Sequence, residues 1–257
     1  MLRLNVSGLQ ITIRRPTGVE DMLLQERQSG SVELALDVVS RLVQAADGAR
    51  VSWRELCVSD LEALLLMMRQ NILGDMISTD ARCPAAGCGA RVDISFGIGE
   101  YLQSRRPRKV KNVEQSPRKN WFRLQGEAVE FRLPTAGDLL AIENHADPHR
   151  ELANRCMRPT ALKPALRRRV ENAMEALSPR YSSTLKGVCP ECGAGFEIYF
   201  DVRSFVLQEL HNRAAGVYQD VHLLALHYKW PEEQILALPQ NRRAYYAEML
   251  RGAEATA

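Results

Sequence analysis

Apolar and polar residues alternate in four short runs, the period of a strand with one buried face. They are Gln10-Ile-Thr-Ile13, Arg91-Val-Asp-Ile-Ser-Phe96, Ala128-Val-Glu-Phe131 and Phe196-Glu-Ile-Tyr-Phe200. Between them the apolar spacing changes to threes and fours. This predicts helices over Val32 to Ala46, Leu61 to Asp75, Glu151 to Met157 and Leu162 to Leu177. Ser31 stands before the first as an N-cap, and Ser59-x-x-Glu62 reads as a capping box for the second. After the last alternating run, Val202, Val206, Leu210, Ala214, Val217, Val221, Leu224 and Tyr228 paint one stripe. That stripe predicts a single helix of about seven turns. Trp230-Pro-Glu-Glu233 restarts the chain with residues suited to a first helical turn, and Pro239 interrupts it again. A final helix carries Arg242, Arg243, Tyr245, Tyr246, Met249 and Leu250.

Laid against itself, the chain repeats. Gln10 to Glu20 matches Ala128 to Asp138: each alternating strand ends at Pro-Thr, with an acid three residues after the threonine. Thr17 with Glu20 and Thr135 with Asp138 therefore read as paired helix-opening boxes at one offset of 118. Helices follow in each copy, and each copy closes on a cysteine turn and a strand.

Those turns are Cys83-Pro-Ala-Ala-Gly-Cys88-Gly and Cys189-Pro-Glu-Cys192-Gly. Proline sets the first bend, and glycine frees backbone N–H groups to approach the sulfurs. Each turn aims two thiolates at one point, and two such turns make one tetrahedral four-cysteine zinc site. Redox chemistry at Cys189-x-x-Cys192 is the competing reading, but a thioredoxin-type motif opens a helix, whereas here a strand pattern follows. A secreted disulfide framework fits poorly with 257 residues and an N-terminus, Met1-Leu-Arg-Leu-Asn5, that lacks an apolar leader. Cys57 and Cys156 fall inside apolar helical patterns and read as buried free thiols.

The expected architecture is thus α+β, a tandem pseudo-twofold αβ repeat joined by a split four-cysteine zinc ribbon and followed by a helical tail. Residues 1–104 form the first half, 105–120 a linker, 121–204 the second half and 205–257 the tail. The linker is strongly basic: seven Arg and Lys against Glu114 give it +6, leaving −3 elsewhere in a chain of net charge +3. Such a stretch reads as a solvated connection. The tail is expected to project and carry partner contacts, because the two halves supply enough helices to cover their own strands.

Catalytic signatures are missing. His211, His222 and His227 lack the i, i+4 metalloprotease spacing, and no nucleophile elbow, phosphate loop or dinucleotide fingerprint occurs. Four cysteines leave zinc no open position for water or substrate, so the metal is expected to be inert. No apolar run reaches the 18 residues of a membrane span.

The segments Val129 to Leu139, Cys189 to Val202 and Val221 to Tyr246, with His-Tyr-x-Trp-Pro-Glu-Glu-Gln-Ile-Leu-x-Leu at residues 227–238, resemble a known family. They are similar to baseplate-associated proteins of contractile phage tails and related injection systems, and loosely to the T-even phage baseplate hub assembly chaperones. The resemblance spans residues 129 to 250 and brings no catalytic residues with it. It implies a non-enzymatic structural or assembly role among other baseplate, hub or tail proteins, in the cytoplasm during assembly or in the finished particle. A nucleic-acid-binding zinc-ribbon protein is the alternative, resting on the run from Arg105 to Lys119. Against it, aromatics do not interleave with those basic residues apart from Trp121.

Overall fold

The computed structural model describes residues 1–254. β1 (Leu2–Arg3), β2 (Gln10–Ile13) and β3 (Val43–Ala45) form an antiparallel sheet with β2 in the middle. α1 (Gly18–Glu26) and α2 (Val32–Leu42) connect β2 to β3, and a 3₁₀ turn (Trp53–Glu55) leads into α3 (Val58–Leu73). β4 (Met76–Arg82) and β5 (Arg91–Gly97) make a long hairpin that runs into the short α4 (Ile98–Ser104). Next come β6 (Val113–Gln115), β7 (Phe122–Leu124), β8 (Glu130–Phe131), α5 (Ala136–Ile142), α6 (Pro148–Cys156) and β9 (Met157–Arg158). The strands of this group form a second antiparallel sheet in the order β6-β7-β8-β9. α7 (Pro164–Leu177), the hairpin β10 (Ser183–Val188) and β11 (Gly195–Phe200), and α8 (Val202–Ala214) follow. α9 (Val217–Tyr228), α10 (Glu232–Leu236) and α11 (Gln240–Glu254) complete the described chain. The fold is mixed α+β with small antiparallel sheets.

The element order β-β-α-α-β-α-β-β-α runs from β1 to α4, leaving the 3₁₀ turn aside, and again from β7 to α8. Local bonds match as well. Ile13 pairs with Val43 and Phe131 with Met157; Arg14 N–H donates to the Leu42 carbonyl and Arg132 N–H to that of Cys156, both at 2.9 Å.

The paired helix-opening boxes form. Backbone N–H of Thr17 donates to Glu20 and that of Thr135 to Asp138, each at 2.9 Å. An arginine ending each strand clamps the acid: Arg14 to Glu20 at 2.6 Å and Arg132 to Asp138 at 2.5 Å. Burial alone would raise both carboxyl pKa values, but the arginine and the threonine N–H outweigh it and hold both below the ordinary carboxylate value. Ser31 caps α2 through the N–H of Leu34.

Other expectations need correction. The helix expected over Val32 to Ala46 ends at Leu42, because Val43–Ala45 supply the partner that Ile11 and Ile13 need on the edge of β2. α3 begins at Val58 with Cys57 as N-cap, not at a Ser59 box. Ser59 Oγ instead donates to the Pro179 carbonyl at 2.6 Å, and Glu62 accepts the N–H groups of Tyr181 and Ser182. α6 starts at Pro148 with Asp147 as its cap, and Met157 is already strand. The stripe from Val202 to Tyr228 is broken at Ala215-Gly216 into α8 and α9, with Gly216 as the N-cap of α9. The basic linker contains β6, and Arg108 N–H donates to the Ala176 carbonyl at 2.7 Å, so it is held against β7 and α7.

The tail does not stand off the body. Val202, Val206, Leu207, Leu210 and Ala214 of α8 are buried in the main core with α1, α2 and α3. Full burial of each large side chain contributes about 1.5–3 kcal/mol, so α8 is a principal part of that core. A separate small core lies under the second sheet, around Leu124, Val129, Phe131, Met157 and Val170. α9 and α11 are tied back by charge. Buried Asp21 of α1 takes Arg243 at 2.6 Å and Arg213 at 3.1 Å, while Asp220 takes Arg243 at 3.3 Å and Arg251 at 2.9 Å. Among the described residues, no helix is long and apolar enough to cross a membrane.

Candidate metal centre

The two long hairpins end in the cysteine turns and lie tip to tip. Each turn closes in the same way: Cys83 N–H donates to the Ala90 carbonyl at 2.8 Å, and Cys189 N–H to that of Ala194 at 2.9 Å. The glycine after each second cysteine, Gly89 or Gly193, takes a positive φ, which lets the chain reverse without a side-chain clash. Behind the tips, alternate residues of the returning strands share one small core: Val92 and Ile94 from β5, Phe196 and Ile198 from β11. Further back, the Phe96 and Phe200 rings meet edge to face with centroids 5.5 Å apart. The period of two that marked the strands in the sequence is what turns these residues toward one another.

At the tips, Cys83, Cys88, Cys189 and Cys192 place their four sulfurs within 4.8 Å of one another. The closest contacts cross between hairpins, Cys83 to Cys192 at 3.7 Å and Cys88 to Cys189 at 3.9 Å. Four sulfurs at the ordinary zinc–thiolate length around a tetrahedral centre stand about 3.8 Å apart. The cluster therefore has the dimensions of a four-thiolate metal site, and a metal ion could be held there. Cys83 and Cys189 are buried, Cys88 is half-buried and Cys192 is exposed.

The thiols do not share a negative charge easily. At Cys189 the backbone N–H groups of Cys192 and Glu191 outweigh burial and bring the pKa to about 7. At Cys83 the Ala85 N–H favours the thiolate, but burial and the thiols of Cys192, Cys189 and Cys88 push the pKa up to about 12. The Ala90 N–H likewise fails to offset the Cys192 thiol and burial at Cys88, whose pKa is raised. One thiolate forms readily and its neighbours resist. A bound cation would remove that conflict.

The other two cysteines lie elsewhere. Burial pushes both Cys57 and Cys156 up to about 12. Cys57 bridges to Thr135, and the Cys156 thiol lies 3.9 Å from Asp138, so each supports a helix-opening box rather than the cluster. The three tail histidines do not converge on a site: His211 Nδ1 faces the Leu24 carbonyl at 2.8 Å, while His222 and His227 are exposed. Trp121 sits within 6.0 Å of the Arg118, Arg132 and Arg158 guanidiniums, but Arg118 pairs with Glu130 and Arg132 with Asp138.

Two features were missed by sequence reading. One is the buried Asp21–Arg243–Asp220 network, whose members come from three distant helices. The other is a cleft of about 590 Å³ between α3, α6 and α7. Neither has a local spacing signature. No family model, curated protein or solved structure matches the chain.

Proposed function

We propose that this protein is a non-catalytic, zinc-stabilised structural or assembly component of a contractile tail baseplate, built as a tandem αβ duplication. The observation that carries the reading is the cross-hairpin cysteine cluster. Its two close sulfur pairs join residues 109 and 101 positions apart. An ion held by all four is a clamp between halves, and it has no free coordination position for substrate. Zinc is the ion that four thiolates at tetrahedral spacing favour. The duplication is supported by the repeated element order and by the matched Arg14–Glu20 and Arg132–Asp138 boxes. Placement in a tail baseplate rests on the resemblance of residues 129 to 250.

With α8 spent on the core, the partner surface moves to the far end of the tail. Leu226, Tyr228, Tyr245 and Met249 are exposed there, and Tyr228 stacks on Trp230 at 5.0 Å with Tyr246 edge-on at 5.5 Å from Trp230. Rigid aromatic groups of this kind are common anchors of protein interfaces. Co-expression with the hub and wedge proteins of the same tail element tests the reading. A stable complex lost on Tyr245→Ala with Met249→Ala supports it; no complex with any tail component overturns it. The nucleic-acid alternative predicts retention on DNA that falls steeply with salt. The arginines around Trp121 favour that reading, and the pairing of Arg118 and Arg132 with the chain's own acids opposes it.

A further inference from the structure

The two halves differ in what their helices enclose. In the first, α1, α2 and α3 close around α8. In the second, the helices in the same order, α5, α6 and α7, border the open cleft of about 590 Å³ instead. α4 follows β5 as α8 follows β11, yet α4 packs on α3. Both post-hairpin helices thus lie on the first half, and only the first turn of α8 reaches the cleft's rim.

The cleft has an apolar floor and a charged rim. Leu139, Leu152, Met157 and Met174 come from the second half, and Leu61 and Leu65 from α3. Most acids along it are engaged: Glu62 by the N–H groups of Tyr181 and Ser182, Glu171 by Arg167, and Asp201 by the N–H of Ser204. Arg180 and Arg203 have no carboxylate partner among the described residues, and Arg203 Nε is shut off from solvent without a hydrogen bond. Arg180 is exposed and Arg203 half-buried, so the rim carries two guanidiniums that an incoming carboxylate can pair with. Glu175 remains for a basic group.

We propose that this cleft receives an amphipathic helix from another protein of the assembly, seated as α8 is seated in the first half. The inference rests on the tandem-repeat reading. The occupant presents an apolar stripe at i, i+3/i+4 and i+7, an acid toward Arg180 and Arg203, and a base toward Glu175. α8 displays the same chemistry: its stripe is buried and its Glu209 accepts two hydrogen bonds from the Arg69 guanidinium of α3, at 2.9 and 3.0 Å.

The test uses a fluorescein-labelled synthetic peptide of residues 201–215 titrated with the full chain. The expected result is saturable binding with a gain of helical circular dichroism. It is weakened about tenfold or more by Arg203→Glu, which reverses the rim charge, and by Asn172→Trp, which plugs the cleft from an exposed position. Both variants keep the parent melting temperature. No saturable binding up to about 1 mM overturns the proposal, as does binding unaltered by both variants. Uptake of the small apolar anion anilinonaphthalene sulfonate without peptide binding also overturns it, identifying a small-molecule pocket. Metal content measured on the same sample separates the two readings: a zinc-loaded chain that ignores the peptide sinks the groove and leaves the clamp standing.

Discussion

Arg243 is the residue on which docking of the terminal helices should turn. Its side chain is 1% exposed, and it bridges Asp21, 0% exposed, at 2.6 Å and Asp220, 7% exposed, at 3.3 Å. Arg243→Met keeps much of the apolar stem and removes the charge. Removing one partner of a buried ion pair costs about 3–5 kcal/mol, because the remaining charge is stranded away from water. Here each acid keeps a second guanidinium, Arg213 for Asp21 and Arg251 for Asp220, so the lower end, about 3 kcal/mol, applies. For a chain of this size that corresponds to a melting-temperature drop of about 6–12 °C. Thermal unfolding followed by circular dichroism at neutral pH reads it directly. Arg242→Met, an exposed neighbour on the same helix, is the control and should change stability by no more than about 0.5 kcal/mol. The drop should also persist in high salt, since buried pairs are screened little. A drop below about 2 °C, or one equal to that of Arg242→Met, would refute the reasoning.

Three further outcomes are expected. Gly18→Ala should destabilise by about 1–3 kcal/mol in a denaturant titration, because its new Cβ would stand 2.7 Å from Arg243 Nη1 and 2.8 Å from the Leu236 Cα. Glu20→Gln with Asp138→Asn should cost about 1 kcal/mol per helix opening at pH 7. The two carboxyls are held below their ordinary pKa, so their contribution is complete above about pH 4 and is lost as pH falls through the lower folded values. Urea titrations at pH 7 and pH 3 should therefore show the gap between parent and variant narrowing in acid. A chain ending at Asn212 loses Asp220, Arg243 and the buried Val217 and Ile235, and should be insoluble or unfolded on expression. A soluble truncated chain with the parent melting temperature would contradict docking of the tail.

What was legible in the sequence was local. Cys-Pro turns followed by alternating strands fixed the four clustered sulfurs before any fold was known, since turn chemistry and strand period act over a few residues. The Thr17 and Thr135 boxes were visible for the same reason. Where short patterns had two physical outlets, the sequence misled. Ser59 and Glu62 have box spacing, but the carbonyl of Pro179 and the N–H groups of Tyr181 and Ser182 claim them instead. The apolar stripe from Val202 to Tyr228 stays in phase across Ala215-Gly216, so periodicity could not reveal that two helices meet there. The role of α8 was missed because a stripe states that a face is buried without stating against what. Asp21 and Arg243 lie 222 residues apart, and only the packed helices bring them together.

The central claim is that one metal ion joins the two halves through Cys83, Cys88, Cys189 and Cys192. Elemental analysis of the gently purified chain by mass spectrometry, paired with Cys189→Ser, tests it most directly. The account predicts one zinc per parent chain and a Cys189→Ser chain that loses both stoichiometric zinc and the parent's cooperative melt, since the ion links folding across about a hundred residues. Cys57→Ser and Cys156→Ser should retain the metal. A parent chain free of stoichiometric metal, or a Cys189→Ser chain that melts as the parent does, would contradict it.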